Sequence, residues 1–185
     1  MAVIMQNTKQ HYGWITITLH WLIASVIIGL FALGYWMVDL GYYDPWYIQG
    51  PNIHRSLGVV LFGLMIVMFV AQIIQAKPQS LQSHTKFEKL AGPLAHKLLY
   101  LLVIVVMLSG YLISTADGRA IEVFQLLTIP SVWKLLSNQV DIAGFIHQYL
   151  SYTMMVLVVI HALAALKHHF IDKDKTLTRM LGYKK

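Results

Sequence analysis

The sequence predicts an all-α membrane protein, a bundle of four transmembrane helices with both chain termini on the cytoplasmic side. Three observations carry this reading. The chain of 185 residues is 57% hydrophobic. Only 12% of it is charged, whereas a water-soluble domain is about a quarter charged. Its apolar residues are gathered into four segments, each with the roughly 20 residues that a helix rising about 1.5 Å per residue needs to cross a bilayer core.

The four spans are expected at about 14–38, 54–75, 94–115 and 142–166, within a single domain covering 1–185. Gly34, Gly58, Gly63 and Gly110 interrupt them, which membrane helices tolerate because small residues let neighbouring backbones approach. The first span is longer than the apolar core of a cleaved signal peptide and no small-residue cleavage pattern follows it, so it is expected to stay in the protein. Two connections, 39–52 and 76–93, are rich in turn residues. The third, 116–141, carries apolar residues on both sides of Pro130 and is expected to form short interfacial helices on the periplasmic face. All five prolines are expected in connections or at span ends.

Orientation follows from the basic residues. Lys9, Lys77, Lys86, Lys89, Lys97, Lys167, Lys173, Lys175, Arg179, Lys184 and Lys185 fall on one side of the spans, and Arg55, Arg119 and Lys134 on the other. The lysine-rich side is cytoplasmic by the positive-inside rule, as expected of a multi-pass membrane protein; in a bacterium the opposite face would be periplasmic, and the membrane the inner one. The same scatter argues against nucleic acid as a partner: a net charge of +6 is spread around apolar spans and forms no basic face. Membrane lipid is the partner that the composition demands.

The chain has no cysteine, which excludes thiolate zinc sites, iron–sulfur clusters and thioether-linked haem. It has nine histidines, most of them in or beside apolar runs. An imidazole in hydrocarbon is costly and normally faces protein. His161 is flanked by VLVVI and ALAAL, and His20 lies about 9 Å inside the cytoplasmic end of the first span by helical rise. His54 and His147 stand near the periplasmic starts of the second and fourth spans. His147 and His161 are separated by four helical turns less about 40°, hence on one helix face and roughly 21 Å apart in depth. That face needs two partners at two depths, which His54 and His20 match. Facing imidazoles with no other ligand nearby suit bis-histidine haem b in a bundle core, whereas zinc wants a third and fourth ligand. The expected axial ligands are thus His20 with His161 for a cytoplasmic-side haem, and His54 with His147 for a periplasmic-side haem, with the iron as the metal at each. His11 and His84 read as solvated residues. The Trp/Tyr clusters at 12–14 and 42–47 read as interfacial belts.

These residues sit in segments that resemble a known family. LHW at 19–21, IHRSLG at 53–58, AHKLLY at 95–100, FIHQYLSY at 145–152 and HALAALKHHFIDKDKTLTRM at 161–180 are similar to the bacterial cytochrome b561 group, four-helix di-haem membrane proteins that include superoxide oxidase. The resemblance implies the same two ligand pairs. It also has departures: Met68 and Gln72 stand in the cytoplasmic half of the second span, where related proteins often carry arginines, and a proline common before the third-span glycine is replaced near Met107.

The expected function is electron transfer between a periplasmic-side donor and membrane quinone, through two haems b. Protonatable groups gather at the cytoplasmic mouth, making His96, Lys97, Tyr100 and His168 candidates for a quinone site. The resemblance implies superoxide as donor, which would make the chain a superoxide:quinone oxidoreductase. Arg55, Arg119 and Lys134 are then candidates for anion steering, against a reading of them as ordinary loop charges. An alternative is a haem-bearing anchor of a larger periplasmic dehydrogenase or hydrogenase-type complex, served by a periplasmic redox protein. The third reading, a metal permease, suffers from the shortage of acidic residues in the spans.

Overall fold

The computed structural model describes residues 5–132 and 136–183. Among these, four helices are long and apolar enough to cross a membrane: α1 (Trp14–Met37), α2 (Gln49–Ile74), α3 (Lys86–Ser114) and α4 (Gln139–Phe170). Their most apolar windows have mean hydropathies of 2.1, 2.7, 2.1 and 1.9, and no more than 22% of any window is buried. Side chains such as Val60, Phe69, Ile73, Val156 and Leu163 are exposed. At about 25 cal/mol per Å² of apolar surface, such a face would be prohibitive in water and costs nothing against acyl chains.

The interior, by contrast, holds small polar groups. Ser56, Ser109, Thr115 and Gln139 are buried, as are the apolar Leu61, Met65, Met68 and Ala71. Each polar group is satisfied locally. The Gln139 amide donates to the Leu112 carbonyl at 2.9 Å, and the Thr115 hydroxyl to the Tyr111 carbonyl at 2.8 Å. Hydrocarbon offers no hydrogen bonds, so these groups must find partners within the protein.

Three of the helices start earlier than hydropathy alone predicts, and the reasons are chemical. α3 begins at Lys86, eight residues before Leu94, because Thr85 and Glu88 form a capping box: the Thr85 hydroxyl accepts the Glu88 N–H at 3.2 Å, and the Glu88 carboxylate accepts the Thr85 N–H at 2.9 Å. Pro93 consequently lies inside α3, correcting the expectation that every proline falls outside or at the end of a helix. α2 begins at Gln49 with Pro51 as its third residue, where a missing N–H costs little because the first turn has no intrahelical acceptor for it. α4 opens at Gln139, carries Asp141 in its first turn and ends on Lys167, His168 and His169, charges that complement the helix dipole at each end.

Among its described residues the third connection forms a hairpin in place of the interfacial helices expected. Strands β1 (Ile121–Val123) and β2 (Leu127–Ile129) pair antiparallel, with Glu122 opposite Thr128. The turn is closed by the Leu126 N–H on the Val123 carbonyl at 2.9 Å, and it places Phe124 and Gln125 at φ of 48° and 61°. Neither residue favours the left-handed region, so outside help is required. Ser56 of α2 supplies it, accepting the Phe124 N–H at 3.1 Å and donating to the Glu122 carbonyl at 3.3 Å.

The chain divides into two compact units. The first comprises Met1–Ala24, Leu64–Leu99 and Val156–Lys185. Hydrogen bonds tie its loops together: Gln79 N–H to the Lys9 carbonyl, Asn7 N–H to the Gln75 side chain, and Arg179 to the Gln79 carbonyl, each at 2.9 Å. The Trp21 indole donates to the Met180 carbonyl at 2.8 Å, which fixes the short helix α5 (Thr176–Met180) against α1. The second unit comprises Ser25–Gly63 and Tyr100–Met155 and contains the hairpin.

Ser56→Ala should remove the bond that the Phe124 N–H makes and lower stability by about 1 kcal/mol, the net contribution of a typical hydrogen bond. Amide exchange in detergent checks this: Phe124 should lose protection while α3 and α4 keep theirs.

Candidate functional site

In the first unit, His20 of α1 faces His161 of α4, with ring centroids 6.3 Å apart at 59°. His96 of α3 stands edge-on to His161 at 4.9 Å, and its Nδ1 lies 2.9 Å from the Gly92 carbonyl one turn back. That carbonyl accepts only from an Nδ1–H, so the other ring nitrogen of His96 is left as a free acceptor.

In the second unit, His54 of α2 faces His147 of α4 with centroids 6.1 Å apart at 73°. His147 Nδ1 is 2.9 Å from the Val106 carbonyl and 3.2 Å from the Ser109 hydroxyl. The Ser109 hydroxyl donates to the same Val106 carbonyl at 2.8 Å, so both contacts accept from Nδ1–H. The proton on Nδ1 leaves the Nε2 lone pair for a metal, the usual arrangement for a ligating histidine with a carbonyl behind it.

These pairs fit a bis-histidine iron. With metal–nitrogen bonds of about 2.0 Å and about 1.1 Å from ring nitrogen to ring centre, two imidazoles sharing one iron would have centroids about 6.2 Å apart. Two glycines stand against the rings. A Cβ on Gly34 would lie 3.1 Å from His54 Cε1, and one on Gly110 would lie 3.0 Å from His147 Cε1. His54 Nδ1 is a buried nitrogen with no hydrogen-bond partner among the described residues, an anomaly for a polar atom in a protein interior. The described groups of three or more converging ligand side chains lie elsewhere, at His168 with His84 and Asp174 or with Glu88 and Asp172. Among the described residues neither facing pair belongs to a group of three converging ligand atoms, although the His96 ring stands beside His161, and tetrahedral zinc needs three or four such donors.

Residues 11–183 match the family model described as prokaryotic cytochrome b561. The chain belongs to that family. It is 45% identical over 176 residues to cytochrome b561 homolog 2 of Escherichia coli (strain K12), covering 95% of this chain and 94% of that protein. It is 27% identical over 179 residues to a Yersinia pestis protein named "Probable superoxide oxidase CybB", covering 94% and 97%. Cytochrome b561 homolog 1 of Escherichia coli is 25% identical over 173 residues, covering 91% and 96%. Membership implies haem b, a part in electron transport and a multi-pass place in the inner membrane.

The other candidates are distributed unevenly. His96 and Lys97 lie on α3 in the first unit, and Tyr100 belongs to the second. His168 is turned toward carboxylates, with Nδ1 2.9 Å from Asp172 Oδ2 and 3.3 Å from Asp174 Oδ2. Arg55 is held to its own helix start, donating to the Pro51 carbonyl and the Asn52 side chain. Arg119 is paired with Asp117, which offsets its charge. Lys134 lies outside the described residues. His84, expected to be solvated, instead packs its ring 4.7 Å from that of His168 and places Nε2 3.1 Å from Asp174 Oδ2. No spacing rule joins residue 84 to 168 or 174, so only the fold reveals this contact.

Gly110→Ala should push the His147 ring away from its partner, because the new Cβ meets it at 3.0 Å, well inside normal contact. The expected result is a partial loss of bound haem or a changed haem spectrum. Haem content and a redox titration of the purified variant check it.

Proposed function

We propose that this protein is a di-haem b cytochrome that carries electrons from superoxide to membrane quinone. His20 and His161 hold one haem; His54 and His147 hold the other. The observation that carries this reading is the repeated geometry: two imidazole pairs, at 6.3 Å and 6.1 Å, each drawing one ring from α4. The haems, when bound, supply one-electron redox chemistry. The protein's share is to present Nε2 of each ring, keep water and lipid from the iron, and set the basicity of its ligands. The Val106 and Ser109 contacts to His147 bear on the last of these, since strengthening the Nδ1–H bond makes Nε2 a better donor.

The acceptor end rests on His96, whose ring lies 4.9 Å from His161 and has a free nitrogen, with Lys97 beside it in sequence. An imidazole can both accept and donate a proton, which suits the proton uptake that accompanies quinone reduction. The donor end rests on the name of the Yersinia relative and on Arg55, the cation next to His54. Arg119 contributes little, because Asp117 accompanies it.

One observation favours a second reading, in which the chain anchors a larger redox complex. The hairpin tip exposes Phe124, Leu126 and Leu127, an apolar surface that suits a protein partner. Co-purification of a stoichiometric redox subunit would select this reading over the first.

Purified protein should carry two haems per chain, and His20→Ala and His161→Ala should each abolish the same one. Loss of different haems in the two variants would overturn the pairing. Superoxide generated beside protein reconstituted with quinone should reduce the haems rapidly. Added salt should slow this by screening Arg55, over a length of about 10 Å at 0.1 M. Absence of reduction in intact, haem-replete protein would remove superoxide as donor.

A further inference from the structure

We propose that His84, His168 and Asp174 form a binding site for a divalent transition-metal ion of the zinc type, separate from both facing histidine pairs. The three residues belong to the first unit and come from two distant parts of the chain: His84 precedes α3, His168 lies in the last turn of α4, and Asp174 follows it. One ligand atom from each lies within 4.8 Å of the others. His84 Nε2 and His168 Nδ1 stand 3.1 and 3.3 Å from the same oxygen, Asp174 Oδ2. Ligand atoms at about 2.0–2.1 Å from a tetrahedral zinc are about 3.3 Å apart. Two of the three edges, at 3.1 and 3.3 Å, are already close to that length, and the third lies within 4.8 Å.

The surroundings hold the ligands in place. The other oxygen of Asp174 accepts the Thr176 N–H at 2.8 Å, leaving Oδ2 for the two imidazoles. Burial alone would raise the Asp174 pKa, but the Thr176 hydrogen bonds and the nearby histidines outweigh it, and the carboxyl titrates below its ordinary value. The Asp174 side chain is 6% exposed, that of His168 12% and that of His84 16%. His168 Nδ1 is buried without a hydrogen bond of acceptable geometry, although carboxylate oxygens stand at 2.9 and 3.3 Å. A nitrogen in that position has a lone pair or proton that the protein alone does not use well, and a metal ion would use it. The neighbouring group of Glu88, His168 and Asp172 is a poorer site, because the Lys167 ammonium already bridges Glu88 and Asp172 at 2.7 Å each.

Two imidazoles and one carboxylate favour zinc, cobalt or nickel over magnesium or calcium, which prefer all-oxygen sets. The fourth position is left to water. A bound ion would staple the connection before α3 to the tail after α4, and binding to the folded state alone raises stability with concentration.

The test uses the haem-loaded full chain in detergent, stripped with chelator and titrated with zinc chloride by calorimetry, with thermal unfolding followed in parallel. The expected result is one equivalent of zinc at micromolar affinity or tighter, with a raised unfolding temperature, and no such effect from millimolar magnesium. His84→Ala and Asp174→Asn should each lose that equivalent or weaken it at least tenfold, with the haem spectrum unchanged as the check on folding. His169→Ala, outside the cluster, should keep it. If either variant misfolds, His84→Gln provides the same loss of a strong ligand with a polar side chain retained. Absence of a zinc equivalent, its survival in haem-replete His84 and Asp174 variants, or equal binding of magnesium would each overturn the proposal.

Discussion

A polar ring inside a lipid-exposed bundle must be satisfied by the protein or by something the protein holds, and this structure is organised around that constraint. The outer faces of α1 to α4 are left almost wholly apolar. The inner faces are therefore where Ser56, Ser109, Thr115, Gln139 and the four paired histidines have to be accommodated. Ser109 shows the economy of the arrangement. It is buried, satisfies itself on the Val106 carbonyl and contributes to orienting His147. Gly34 and Gly110 serve the same end by absence, since a side chain at either place would collide with a paired ring.

Much of the remaining architecture holds the helix ends in register. The Thr85–Glu88 capping box starts α3 in a polar stretch, extending it eight residues beyond the apolar run. Ser56 locks the hairpin to α2 two residues after His54. In the first unit, Trp21 beside His20 is tied to the Met180 carbonyl, so the tail after α4 bears directly on the residue next to a candidate ligand. These contacts are modest individually, at about 1 kcal/mol for a typical hydrogen bond. Their value lies in holding the helix ends that carry the facing rings.

The relatives sharpen this view without replacing it. Membership of the prokaryotic cytochrome b561 family accounts for a histidine-rich, cysteine-free chain with four spans. At 45% identity across nearly all of both chains, the Escherichia coli relative argues that the whole fold is shared. Within α2, Met65 and Met68 are buried, so thioethers fill part of the interior side of that helix.

The sequence alone determined the four spans and the membrane as solvent, and it put His20 at the depth of His161 and His54 at that of His147. Those properties are periodic or additive: hydropathy sums along a segment, and depth along a helix is counted residue by residue. Even α3's early start was legible, because TKFE at 85–88 is a capping box whether or not it is noticed. What the tertiary structure alone decided depends on contacts between segments with no fixed spacing. The hairpin at 121–129 lacks the glycine or asparagine that advertises such a turn, since its left-handed residues are held by a serine on another helix. The meeting of His84 with His168 and Asp174 spans 90 residues between His84 and Asp174. No local rule reaches that far; only the packing of the connection before α3 against the tail after α4 brings those three side chains together.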